Sequence, residues 1–172
     1  MVELLAVVAM IGILAAMAVA GYKRYLSSSH SADAKAIMSA IRIAEESYRA
    51  ETLTYLGCST DLTSPSSWYP TGVKPNGKKH HWINPGHADV ERWRQLNVAT
   101  DSPTRYNFAV VAGGPGDAIP APLTAKTPVW PSPPSEPWYV IQGVGDDDDD
   151  GTLALFLTSS FNGEIYVENE DE

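Results

Sequence analysis

The sequence has 172 residues and a formal net charge of −9, from 12 basic and 21 acidic side chains. Every lysine and arginine lies within residues 1–126, whereas residues 127–172 hold 11 acidic residues and no basic one. This distribution argues against nucleic acid as a partner, because phosphate binding needs clustered cations. The length suits one anchor helix followed by one compact domain.

The first 21 residues are the most apolar part of the chain. No charged side chain occurs between Leu4 and Tyr22, and this approaches the roughly 20 residues that a helix needs to cross a bilayer. Glu3 stands at the start of the run, where a carboxylate near lipid needs a partner. Gly12 and Gly21 leave room for other helices to approach closely. The stretch therefore predicts a helix that first spans a membrane and later packs against copies of itself.

These N-terminal motifs resemble those of type IV pilins and of type II secretion pseudopilins. The resemblance covers about the first 50 residues and is carried by Met1-Val2-Glu3-Leu4-Leu5, Ile11-Gly12-Ile13-Leu14-Ala15-Ala16 and Gly21-Tyr22-Lys23-Arg24-Tyr25. In that family the mature chain starts at an N-methylated residue, commonly Phe, and the glutamate is its fifth residue. Here the glutamate is the third, so we expect the mature end to lie two residues upstream of Met1. Ala20 stands where many family members carry a helix-bending proline.

The resemblance implies a structural subunit of a type IV pilus-like filament and not an enzyme. It implies that the carboxylate of Glu3 pairs with the N-terminal amine of a neighbouring copy. The residues expected to mediate assembly are Glu3, Leu4, Leu5, Gly12, Ile13, Leu14, Gly21, Tyr22 and Tyr25. Other copies of the chain, a prepilin peptidase, a platform protein and an assembly ATPase are the implied partners. The chain would wait in the inner membrane before it joins an extracellular filament.

Two other functions are compatible with the sequence. A pseudopilin of a type II secretion system would form a short periplasmic fibre instead of a surface filament. A membrane-anchored monomeric binding protein would use the loops of residues 51–105 as its binding surface. An enzyme is disfavoured because the sequence contains no G-x-S-x-G elbow, P-loop or zinc-protease pattern.

The N-terminal helix is predicted to continue to about Ala50, so that residues 1–25 form the membrane and assembly helix and residues 26–50 its amphipathic continuation. The serine-rich stretch at residues 27–31 is expected to weaken the helix without ending it. Apolar residues then recur at helical spacing and predict a stripe that packs on a sheet: Ile37, Met38, Ile41, Ala44 and Tyr48. The charged residues Lys35, Arg42, Glu45, Glu46 and Arg49 are expected to lie mostly off that stripe.

Residues 26–172 are expected to form a soluble globular domain of the α+β class. Residues 51–105 are predicted to be a variable loop region, with one short helix near residues 89–96. Residues 106–172 are predicted to form an antiparallel sheet of three or four strands and the C-terminal loops, with one face buried against the helix stripe. The predicted strands are 106–112, 138–142, 153–158 and 164–167, and Phe161-Asn162-Gly163 is predicted to form the turn before the last strand, because Asn-Gly is a strong hairpin signal. The proline-rich stretch from Pro120 to Pro137 is expected to be extended.

The run Asp146-Asp147-Asp148-Asp149-Asp150-Gly151-Thr152 predicts a calcium site or a solvated acidic turn with about equal weight. Asp146, Asp148 and Asp150 copy the first ligands of an EF-hand loop, and Thr152 is placed to offer a carbonyl oxygen. The second half of the motif fails, because Leu157 stands where the bidentate glutamate belongs. The resemblance adds some support, since certain pilins and pseudopilins bind calcium in their C-terminal loops.

Histidine and cysteine give weaker signals. His80 and His81 are adjacent and would point to opposite sides of an extended segment, so a transition-metal site with His87 is disfavoured. Cys58 is the single cysteine, so no disulfide can close within one chain.

Overall fold

The computed structural model describes residues 2–124, 126 and 128–170, without the side chains of residues 20, 23 and 24. Met1, which the assembly prediction includes, lies outside these residues. The described chain has the predicted α+β class. Its elements are helix α1 (Val2–Thr52), a 3-10 turn (Pro65–Ser67), helix α2 (Val90–Leu96) and strands β1 (Asn107–Gly113), β2 (Trp138–Gly145), β3 (Ala154–Ser159) and β4 (Asn162–Glu168).

Helix α1 is continuous over 51 residues, which corresponds to about 77 Å at 1.5 Å per residue. The serine-rich stretch at residues 27–31 remains helical. Within the described residues, Val2–Val19 is the segment long and apolar enough to cross a membrane, with a mean hydropathy of 2.6. None of that segment is buried inside the chain. A membrane anchor and a signal sequence both have these properties.

The four strands form an antiparallel meander in the order β1-β2-β3-β4. The register pairs Val110 with Ile141 and Phe156 with Val167. Ser160 and Phe161 form the turn between β3 and β4, and Ser159 pairs with Asn162. Asn162 and Gly163 therefore open β4, and their predicted place in the turn is wrong, because the strands continue closer to the loop than the Asn-Gly signal indicated.

Both faces of the sheet are covered, whereas the sequence predicted one buried face. One face packs against α1 through Ala34, Met38 and Ile41, which join a cluster with Phe108, Val110, Tyr139, Ile141 and Phe156. The opposite face packs under loop residues that include Leu62, Trp68 and Trp130. This second layer is the reason that β2 and β3 are buried along their whole length. The sequence pattern missed it because the covering residues come from irregular segments without a period.

The soluble half of α1 presents one unexpected residue to the sheet. Glu45 is 0% exposed and continues the line of Ala34, Met38 and Ile41 along the helix. The expectation that it lies off the apolar stripe is wrong, since spacings of three and four residues place it directly above Ile41. Helix α2 begins one residue after Asp89, whose side chain makes no capping hydrogen bond.

Candidate functional site

The apolar half of α1 carries a long run of exposed apolar side chains. Leu4, Leu5, Ile13 and Leu14 are exposed by 71%, 69%, 63% and 65%, and a Cβ atom added at Gly12 would meet nothing within 4 Å. Soluble monomers rarely expose contiguous apolar patches larger than a few hundred Å². An apolar surface of this extent is typical of a segment that contacts lipid or other protein chains.

Polar and aromatic residues mark the two ends of the apolar segment. Glu3 is exposed in the first turn of α1. Gly21, Tyr22 and Tyr25 follow the segment, and the two tyrosines are 63% and 71% exposed. Exposed tyrosines are typical of the zone where a membrane meets water, because the ring is apolar and the hydroxyl is polar. The predicted assembly residues that the structure describes thus lie on the free part of α1 and make no contact with the sheet.

The C-terminal end of the chain is tied to α1 just beyond these tyrosines. The backbone carbonyl of Glu170 accepts a hydrogen bond from Ser27 Oγ (3.1 Å), and its carboxylate accepts one from Ser31 Oγ (2.6 Å). Lys35 forms an ion pair with the same carboxylate. The hydrogen bond from Lys35, followed by that from Ser31, holds the pKa of Glu170 below its usual value. The serine-rich stretch is therefore a docking point for the end of the sheet.

A second tie joins the acidic loop to the same part of α1. The carboxylate of Asp147 lies 2.7 Å from His30 Nδ1 and 2.9 Å from an Arg105 guanidinium nitrogen. The same nitrogen of Arg105 donates to the carbonyl of Gly77 (2.8 Å). Asp147 is about one-fifth exposed, so its contacts are partly shielded from solvent. These contacts fix the loop between β2 and β3 beside the helix.

The three predicted calcium ligands converge on the other side of this loop. One carboxylate oxygen from each of Asp146, Asp148 and Asp150 lies within 4.8 Å of the others. Oxygens that share a calcium ion at 2.3–2.6 Å can be at most about 5 Å apart, so the spacing fits this ion. The amide of Thr152 donates to Asp150 (2.7 Å), and hydrogen bonds from this residue lower the pKa of Asp150.

The same carboxylates also order the loop from within. Asp146 is 4% exposed and accepts hydrogen bonds from the amides of Asp150 (3.2 Å) and Gly151 (3.0 Å). Leu157 is 0% exposed in β3, where it pairs with Tyr166. The residue at the position of the final EF-hand ligand is therefore part of the sheet core. The site offers three aspartate carboxylates, fewer ligands than a complete EF-hand loop provides.

The histidines and the cysteine are engaged elsewhere. The backbone of His80 pairs with that of Thr104 (2.7 and 2.9 Å). His87 is 6% exposed, and its Nδ1 accepts a hydrogen bond from the amide of Asp89 (3.1 Å). Cys58 is a free, fully buried thiol, and burial raises its pKa far above the usual range. A thiol in this environment is unreactive, because the thiolate is the nucleophilic form.

The loop region contributes one open groove, which bears on the alternative of a binding protein. It lies between α1 and the segment after α2, has a volume of about 500 Å³ and is lined by residues that include Ala40, Ile43, Tyr48 and Leu96. Ile43 is 68% exposed at this groove. Polar residues, among them Glu51 and Gln95, also line the groove, and Gln95 donates a hydrogen bond to the hydroxyl of Tyr48 (3.3 Å).

Two features of this site had no sequence signal. Asp147 is one of five adjacent aspartates in the sequence. Only the fold shows that it contacts His30, whereas Asp146, Asp148 and Asp150 converge as a group. The partners Ser31 and Glu170 are 139 residues apart in the chain, and no local pattern connects them.

Comparison of the chain with protein-family models, with curated proteins and with solved structures gave no match.

Proposed function

We propose that this protein is a structural subunit of a type IV pilus-like filament. The single observation that carries the proposal is the apolar segment Val2–Val19, which is 0% buried within its own chain and resembles the pilin N-terminus. At 1.5 Å per residue it is about 27 Å long, close to the roughly 30 Å hydrocarbon core of a bilayer. In the membrane, lipid surrounds this helix. In the filament, the helices of other copies replace the lipid.

The rest of α1 supports this role mechanically. The helix runs without interruption from the apolar segment into the domain, and the ties from Ser31 to Glu170 and from His30 to Asp147 hold the domain on it. A force on the helix is therefore transmitted to the folded domain. Head-to-tail contacts between identical subunits that do not close into a ring produce a fibre.

Glu3 is assigned the role of setting the register between copies. A carboxylate near the membrane interior is costly unless it finds a counter-charge. The proposed partner is the N-terminal amine of a neighbouring subunit, which would neutralise both groups as the helix leaves the lipid. Prepilin peptidase, a platform protein and an assembly ATPase belong to the proposal through the same resemblance.

Calcium bound by Asp146, Asp148 and Asp150, with Thr152 adjacent, is a further part of the proposal. It is supported by the convergence of the three carboxylates within 4.8 Å. A divalent cation would relieve the repulsion between these groups and tighten the loop next to its tie to α1.

Replacement of Glu3 by alanine tests the proposed role. Cells that carry Glu3→Ala should insert the protein into the inner membrane normally but form at least tenfold fewer filaments, as counted by electron microscopy and by filament shearing. Glu51→Ala is the matched control, because it removes a carboxylate from an exposed position on the same helix and should leave the filaments unchanged. Normal filaments made by Glu3→Ala would refute the role of this residue.

The alternatives predict different observations. Long extracellular filaments favour the pilus subunit, whereas short periplasmic fibres favour the pseudopilin of a type II secretion system. A full-length chain that stays monomeric in detergent and never enters fibres would favour the membrane-anchored binding protein. Mass spectrometry of the native N-terminus should reveal the cleavage and N-methylation that the resemblance implies, and it tests the premise shared by the pilus subunit and the pseudopilin.

A further inference from the structure

Glu45 has an unusual environment in the part of α1 that contacts the sheet. Its side chain is 0% exposed. Carboxylate oxygen Oε2 accepts a hydrogen bond from the amide of Leu56 (2.8 Å), and oxygen Oε1 is buried without a hydrogen-bond partner in the described structure. An ionised carboxylate in this position would lack most of the hydration that it has in water, and burial of an unpaired charge is costly.

The charged and titratable groups around Glu45 do not compensate for this burial. Those that interact with it or with its neighbours Cys58 and Tyr139 are Arg42 and Glu46 on α1, Cys58 itself, Asp89 before α2, Arg92 on α2, and Tyr139 on β2. Within the described residues, Glu45 forms no ion pair. Burial raises the pKa of Glu45 to about 8. The hydrogen bond from Leu56 lowers the pKa and offsets part of this rise, and the nearby charge of Glu46 adds a smaller increase. The carboxyl group is therefore uncharged at neutral pH.

Glu45 holds a short segment that covers the free edge of the sheet. Strand β1 is the first strand in the sheet order, and its outer edge is covered by loop residues. At Phe108 this edge pairs with the backbone of Tyr69 (2.8 and 2.6 Å). The amide of Ser59 donates to the carbonyl of Val110 (2.8 Å), and the hydroxyl of Ser59 accepts from the amide of Val110 (3.3 Å). A Cβ atom at Gly57 would come within 3.0 Å of the amide nitrogen of Ala112. The chain from Leu56 to Ser59 thus lies directly against this edge.

We propose that Glu45 is a pH-dependent latch: residues 56–59 close over its uncharged carboxyl group beside the edge of β1, and ionisation opens this segment so that water reaches the carboxylate. The segment is the element that yields, because it is a loop, whereas the other walls around Glu45 belong to a helix and a sheet. Release is limited at one side by Tyr55, whose hydroxyl is hydrogen-bonded to Glu46 (3.0 Å) and Arg49 (2.8 Å). Within the segment, the carbonyl of Gly57 accepts a hydrogen bond from Arg92 (3.0 Å), and the hydroxyl of Ser59 donates to the carbonyl of Ser67 (3.0 Å).

The released state would expose unpaired backbone groups of β1. The amide and carbonyl of Val110 would lose Ser59 as a partner, and free strand edges pair readily with other chains. The latch therefore protects the edge at neutral and acidic pH and opens it under alkaline conditions. Its action does not depend on filament assembly.

Amide hydrogen exchange on the full-length chain in detergent tests this proposal. Between pH 6.5 and 9, the protection factors of Leu56, Ser59 and Val110 should fall at least tenfold in the wild type, after correction for the intrinsic pH dependence of exchange. The variant Glu45→Gln keeps an acceptor oxygen but cannot ionise, so its protection factors should stay constant. The control Glu51→Gln removes an exposed carboxylate from the same helix and should behave like the wild type.

A second measurement covers the case in which Glu45→Gln does not fold. The side-chain carboxyl carbon of Glu45 in the wild type can be followed by NMR as the pH is changed. A titration midpoint below pH 6 would overturn the proposal, and so would a parallel loss of protection in wild type and Glu45→Gln. Either result would leave the filament proposal untouched, because that proposal depends on Glu3 and the apolar helix.

Discussion

Acidic residues of the same type have quite different environments in this chain. Glu3 is exposed at the start of the apolar helix, Glu45 is fully buried against the sheet, and Glu170 is tied to Ser31 and Lys35. Burial raises the pKa of Glu45, whereas hydrogen bonds lower that of Glu170. The sign of the shift follows from whether the site stabilises or excludes the charged form.

The raised pKa of Glu45 links the stability of the fold to pH. The folded chain keeps the proton of Glu45 up to about pH 8, whereas the unfolded chain releases it near the ordinary value of 4.5. The stability that protonated Glu45 contributes is therefore complete below pH 4.5 and is lost as the pH rises through 8. Relative to wild type, Glu45→Gln should gain unfolding free energy between these values, by up to about 1.4 kcal/mol per pH unit.

Urea unfolding of the full-length chain in detergent at several pH values measures this effect. Glu51→Gln serves as the control and should follow the wild-type pH profile. If the difference between wild type and Glu45→Gln is the same at pH 5 and pH 8.5, Glu45 titrates normally and the linkage is absent.

At the scale of elements, the acidic loop combines two separate sets of contacts. Asp147 binds His30 and Arg105 on one side, and Asp146, Asp148 and Asp150 converge on the other. The loop is a bend with Asp149 in the left-handed region, and the amides of Asp150 and Gly151 fold back onto the carboxylate of Asp146. The sequence predicted the convergent set, whereas the role of Asp147 depends on partners far away in the chain.

This division predicts distinct effects of two substitutions on calcium affinity. Asp148→Asn should weaken calcium binding at least tenfold, since it removes one of three converging charged ligands. Asp147→Asn should retain most of the affinity, because this residue is directed to His30 and Arg105. Isothermal titration calorimetry with calcium chloride compares the two variants with wild type. The calcium proposal is abandoned if the wild type takes up no calcium and millimolar calcium does not raise its melting temperature.

Secondary structure was the part of the fold that local patterns predicted well. The unbroken helix, the short helix near residues 89–96 and four strands all occur close to their predicted positions. Where local patterns competed with tertiary contacts, they failed. The Asn-Gly pair lies in β4 because the strand pairing extends to Asn162, and Glu45 lies on the apolar face although its side chain is ionisable.

At the scale of the molecule, the apolar segment and the folded part of the chain are structurally independent. Val2–Val19 is 0% buried, whereas the core contacts of α1 begin at Ala34. A chain that contains residues 26–172 keeps Ser27, Ser31 and the core residues of α1. It should therefore be a water-soluble monomer that unfolds cooperatively, with a melting temperature within about 4 °C of the full-length protein, equivalent to roughly 1 kcal/mol for a domain of this size.

Size-exclusion chromatography and circular dichroism of this shortened chain measure both properties. The full-length protein in detergent is the reference. If the shortened chain fails to fold, the apolar segment contributes to the stability of the domain, and the independence of the two parts is refuted.

The amino-acid sequence by itself determined the long helix, its apolar half, the α+β class and the convergent aspartates. Each of these follows from the spacing of residue types along a short stretch, and the resemblance to pilins rests on the same stretch. The tertiary structure alone decided which acidic residue is buried and which residues tie the acidic loop and the C-terminal end to α1. It also decided that Gly145 in β2 admits no larger side chain, since a Cβ atom there would collide with the ring of Tyr106. The physical reason is that these features depend on contacts between residues far apart in the chain, for which local spacing carries no information.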